Sequence, residues 1–101
     1  MTAVTFATPH LTLTAAHRNY VVARMKGLSA FAPNLRELEL HVHPEGRGFS
    51  VEALMHRADG PQLAVHERGD CVEAALDRAL HSCRRRLARA HERRVHARRN
   101  T

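Results

Sequence analysis

The stretch Leu35–His43, L-R-E-L-E-L-H-V-H, constrains the fold more than any other part of the chain. Leu38, Leu40 and Val42 fall on one side of an extended backbone; Glu37, Glu39, His41 and His43 fall on the other. A period of two is that of a half-buried strand, which needs a sheet with one apolar face. Pro44-Glu45-Gly46-Arg47-Gly48 then makes a turn, and Phe49–Met55 resumes with Phe49, Val51, Ala53 and Met55 in register. Asp59-Gly60-Pro61 is a second turn, followed by a short strand, Gln62–Glu67, carrying Leu63 and Val65. Turns this short join antiparallel strands, so the three form a meander.

One apolar sheet face needs a cover, and two segments have the pattern to supply it. Ahead of them, Ala3–Ala7 alternates with Val4 and Phe6 on one face and is closed by Pro9. Thr12 or Thr14 caps a helix running to about Leu28, in which Leu13, Ala16, Tyr20, Val21, Met25 and Leu28 recur at helical steps. Gly27, Ser29 and Pro33 end it. The second helix runs from Asp70, its N-cap, to about Arg94, with Val72, Leu76, Ala79, Leu80, Cys83, Leu87 and Ala90 as a single apolar stripe. Past Ala90 the stripe gives out.

The order β-α-β-β-β-α predicts an α+β, two-layer sandwich: a four-stranded sheet with two helices packed on one face and the other face in water. A chain of 101 residues has room for one domain. Residues 1–94 are expected to form it, with 95–101 as a flexible basic tail.

Charge narrows the function. Residues 1–83 hold eight basic and nine acidic side chains, whereas residues 84–101 hold eight Arg and one Glu. A neutral body with a cationic end fits a polyanionic partner. Turning about 100° per residue from Cys83 puts Arg78, Arg85 and Arg89 opposite the apolar stripe, pointing away from the sheet, while Arg84, Arg86 and Arg93 flank it. Arg outnumbers Lys fifteen to one, which suits bidentate phosphate contacts.

Other classes are excluded by what the sequence lacks. No apolar run approaches the roughly 20 residues of a bilayer span, and no signal peptide opens the chain. Cys71 and Cys83 are twelve residues apart along one expected helix, too far to bridge, so they are free thiols and a cytoplasmic location follows. The nine His show no recognised metal spacing, and His17, on the apolar side of the first helix, reads as a core histidine. No catalytic or phosphate-loop motif is present. Of the four aromatics, Phe6, Tyr20, Phe31 and Phe49, at least three read as core, which argues against base-stacking readers of single strands.

Two segments are similar to a known family. Leu13-Thr14-Ala15-Ala16-His17-Arg18-Asn19-Tyr20-Val21, with Arg24 and Leu28 after it, resembles the capped first helix of the ribosome hibernation promoting factors. These are also called ribosome-associated inhibitors or sigma-54 modulation proteins. Ala75-Leu76-Asp77-Arg78-Ala79-Leu80, followed by Arg85-Arg86-Leu87, resembles their last helix. The chain departs from the pattern at Asp70-Cys71-Val72-Glu73, and it is expected to lack a second domain and so to be similar to the short forms.

The resemblance implies a fold like that of double-stranded-RNA-binding domains. It also implies a partner, the small ribosomal subunit, bound through its rRNA in the channel of mRNA and tRNA, and a role in blocking translation under stress. Arg18, Arg24, Arg85 and Arg89 are carried over by position; with Lys26, Arg78, Arg86 and Arg93 they form the candidate rRNA-binding set. A bacterial, ribosome-associated protein, monomeric when free, is expected, with no catalysis, cofactor, metal, membrane partner or small-molecule substrate. The alternatives are a generic binder of structured RNA and an Arg-rich regulatory module that meets another protein.

Overall fold

A computed structural model of the chain describes residues 2–8 and 11–99; Pro9 and the last two residues of the expected tail lie outside the described residues. The elements are β1 (Ala3–Ala7), α1 (Ala15–Phe31), β2 (Leu35–Glu45), β3 (Gly48–Arg57), β4 (Leu63–Gly69) and α2 (Val72–Arg99). They form an α+β domain with one sheet in the order β1-β2-β3-β4. The meander of β2, β3 and β4 is antiparallel, with Leu40 opposite Ala53 and Ala53 opposite Val65. β1 runs parallel to β2, with Val4 beside Leu38 and Phe6 beside Leu40. A parallel neighbour cannot be reached by a tight turn, and α1 is the crossover that connects the two.

The alternation of β2 is realised as read. Leu38, Leu40 and Val42 are fully buried, as are Val51, Ala53 and Met55 of β3. Val21, Met25 and Leu28 of α1 and Ala75, Leu76, Ala79, Leu80, Cys83 and Leu87 of α2 complete the core. Gly46, at φ 62°, takes the first central position of the two-residue turn between β2 and β3, where a positive φ is required. Gly69 ends β4, where a side chain would meet the backbone of Ala74 and Ala75, so α2 starts hard against the strand.

Three helix boundaries differ from expectation, the simplest being the end of α2, which is helical to Arg99 rather than to about Arg94. Neither Gly27 nor Ser29 stops α1, because Leu28 and Ala32 are buried and hold the last turn, and the Ala32 N–H closes on the Leu28 carbonyl at 2.8 Å. Asp70 is not the N-cap of α2. The first helical bond runs from Ala75 N to the Cys71 carbonyl at 3.0 Å, which places Cys71 at the cap. Both cysteines are free; Cys71 is exposed, and burial pushes the Cys83 thiol up to about 12. Among the described residues no helix is long and apolar enough to cross a membrane.

Candidate nucleic-acid interface

The buried band of α2 fixes where its arginines emerge. Arg85, Arg86 and Arg89 come out on the β4 side and line a cavity of about 300 Å³ with Val65, His66, Glu67 and Ser82. The stripe expected to point straight away from the sheet thus leans over its β4 edge. Ser82 donates to Glu67 Oε1 at 2.5 Å, and Arg85 Nη2 donates to Ser82 Oγ at 3.3 Å. Arg86 Nη1 is buried without a hydrogen-bond partner. A buried donor left unpaired is costly.

A second basic site lies between the helices. Arg24 and Arg84 line a groove of about 250 Å³ with Ala23, Gly27, Leu28 and Leu80. The Arg84 guanidinium lies 5.4 Å from the centre of the Phe31 ring, and Arg24 lies 5.8 Å from that of Tyr20. On the β1 side, Arg18 stands 5.0 Å from the ring centre of Phe6. The expectation that at least three aromatics are core is corrected here. Tyr20 and Phe31 are 38% and 41% exposed, and Phe6 and Phe49 are only partly buried. The rings of Phe6, Tyr20 and Phe31 are covered by guanidinium groups, a cation–π arrangement that also orders the arginines.

The candidate residues are not one patch. Arg24 Nη1 donates to Tyr20 Oη at 3.2 Å and to Asp77 Oδ1 at 3.3 Å, so part of its charge is met across the helix pair. Arg78 is exposed, and its Nη1 donates to the Arg68 carbonyl at 2.8 Å, at the far end of β4. Lys26 and Arg93 are exposed and, like Arg18, line neither site. Arg84, outside the candidate set, belongs to the interhelical groove; its place beside the apolar stripe was the available signal.

Below this groove the helix N-termini are latched together. Thr14 Oγ1 accepts from His17 N at 3.1 Å, and Thr14 N donates back to His17 Nδ1 at 3.3 Å, so histidine completes the capping box. The other ring nitrogen, Nε2, contacts Glu73 Oε1 at 2.6 Å. His17 is therefore a cap and a crosslink rather than a core histidine. The bond from His17 holds the Glu73 carboxyl below its usual range. Tyr20 donates to Asp77 Oδ1 at 2.5 Å, and that bond, with some burial, raises the phenol above its usual value. Among the described residues the one His and carboxylate group close enough to share an ion is Glu37, Glu39 and His56, on the opposite face of the sheet.

Comparison with known proteins follows the same architecture. A ribosomal subunit interface protein from Coxiella burnetii superposes with a TM-score of 0.81 at 11% identity, covering 89% of this chain and 98% of that one. The Protein Y N-terminal domain from Thermus thermophilus gives 0.76 at 21% identity, covering 88% and 98%. At such identities the likeness is one of fold. No curated protein matches in sequence. The family described as sigma 54 modulation protein / S30EA ribosomal protein matches residues 4–95, from the first strand to deep in the last helix. The chain, with its β-α-β-β-β-α order and both resembling helices in place, belongs to that family.

Proposed function

We propose that this protein is a ribosome-bound inhibitor of translation that acts by occupancy. It binds small-subunit rRNA where mRNA and tRNA pass, through the arginines of α1 and α2. Membership of a ribosome-associated family supports the partner, and the Coxiella relative is named for the ribosomal subunit interface. The observation that carries the reading is the cavity lined by three arginines, Arg85, Arg86 and Arg89. Its geometry suits a phosphate oxygen, and its arginines stand on a helix anchored by Leu80, Cys83 and Leu87, so little ordering is needed on binding.

In this reading Arg85, Arg86 and Arg89 make the closest contacts. Arg18, Arg24, Lys26, Arg78 and Arg93 add charge around them, and the segment 95–101 adds long-range attraction. The test is a sucrose-gradient profile of tagged protein in stationary-phase lysate. Co-sedimentation with small subunits or whole ribosomes is expected. Protein that stays at the top of the gradient, or that binds an unrelated structured RNA equally well, contradicts the proposal.

A further inference from the structure

One face of the sheet is covered by helices and the other is open. On the open face β2 places Glu37, Glu39 and His41 at every second position, each about 7 Å from the next along the strand. The antiparallel register sets His56 of β3 opposite Glu37, and the parallel register sets Thr5 of β1 opposite Glu39. No spacing within the sequence reveals this group, because it is assembled across three strands.

The donor atoms converge. His56 Nε2 lies 3.0 Å from Glu39 Oε1 and 3.7 Å from Glu37 Oε1, and one donor atom from each of the three residues falls within 4.8 Å of the others. The remaining carboxylate oxygens are held from outside. Thr5 Oγ1 donates to Glu37 Oε2 at 3.4 Å, and His41 Nε2 contacts Glu39 Oε2 at 3.1 Å. Two carboxylates thus present one oxygen each to a single imidazole nitrogen, which has at most one proton to share between them. A divalent cation neutralises both. A tetrahedral zinc ion with bonds of about 2.0–2.1 Å sets its donors roughly 3.4 Å apart, between the two distances found here.

We propose that Glu37, Glu39 and His56 form a binding site for a divalent transition metal, with Zn²⁺ the best match. The imidazole nitrogen disfavours Mg²⁺ and Ca²⁺, which prefer all-oxygen sets. Three protein ligands leave a position for water, and the half-buried side chains make the ion exchangeable rather than a fixed core element. His41 is a positioning residue that orients Glu39 through its second oxygen. Because the ligands lie on β2 and β3, and α1 and α2 cover the other face, bound metal braces the sheet without touching the arginine sites.

The test is titration of chelator-treated protein with ZnCl₂ at pH 7, read by calorimetry and by thermal melts, with MgCl₂ as control. One equivalent of Zn²⁺ is expected to bind and raise the melting temperature, and Mg²⁺ to do neither. His56→Gln and Glu39→Gln should each weaken binding by about tenfold or more, and His41→Ala by about tenfold. His66→Gln, on the same face but on β4 and opposite Glu52, should leave Zn²⁺ binding unchanged; metal-free melts of each variant establish that it is folded. Absence of saturable binding overturns the proposal. So does Zn²⁺ binding that survives His56→Gln, or that falls as much with His66→Gln.

Discussion

His17 of α1 and Glu73 of α2 meet at 2.6 Å, and the same imidazole closes the capping box of Thr14 through its other nitrogen. One side chain therefore starts the first helix and ties it to the second. Since Nδ1 accepts from the Thr14 N–H, the neutral ring carries its proton on Nε2 and donates it to the carboxylate.

This contact gives stability an acid-side signature. The folded-state pKa of Glu73 is depressed, chiefly by the bond from His17. A depressed carboxylate contributes stability above its unfolded value and loses it as pH falls through the folded one. Melting temperatures of the parent protein should thus fall as pH is lowered below the ordinary carboxylate range. Glu73→Gln should melt lower at pH 7 and lose less on acidification. Parallel pH profiles for the two proteins contradict the assignment.

Glycine positions separate by what surrounds them. A methyl group at Gly69 meets the backbone of Ala74 and Ala75, whereas one at Gly27, inside α1, meets nothing within 4 Å. Gly69→Ala should destabilise by about 1–3 kcal/mol through forced backbone movement. Gly27→Ala should stabilise by roughly 0.5–1 kcal/mol, because glycine is a poor helix interior residue. Denaturant midpoints moving in the same direction for both count against the close approach of β4 and α2.

Much of this fold is legible in the sequence, and the misses share a cause. Alternation in Leu35–His43 and the stripe Leu76, Leu80, Cys83, Leu87 locate the core because they depend only on local periodicity. Periodicity does not name partners, so the parallel pairing of β1 with β2 was not readable. For the same reason Glu37 and His56 showed no relation, although they are direct cross-strand neighbours. Helical spacing alone assigns Tyr20 to the core; its ring sits at the edge beside Arg24, as the ring of Phe31 sits beside Arg84. Gly27 and Ser29 read as helix breakers because propensity is local, whereas the burial of Leu28 and Ala32 that overrides it is tertiary.

Core and surface of α2 should answer differently to charge. Leu76 is fully buried, and Leu76→Asp places an unpaired charge there at a cost of several kcal/mol, enough to unfold a domain of about this size. Arg85 is exposed, and Arg85→Glu should leave the melting temperature nearly unchanged while weakening binding to small subunits. Similar melts for both variants contradict the face assigned to each residue.

The central claim, that arginines on the folded face of α2 carry binding through phosphate contacts, is tested most directly by salt. Affinity for purified small subunits should fall steeply between about 50 and 300 mM salt, with a log–log slope that counts the phosphates engaged. For Arg85→Ala with Arg89→Ala, the account predicts weaker binding, an unchanged melting temperature and a slope shallower by about one to two contacts. A flat response in the parent protein, or a slope that the double substitution leaves unaltered, contradicts it.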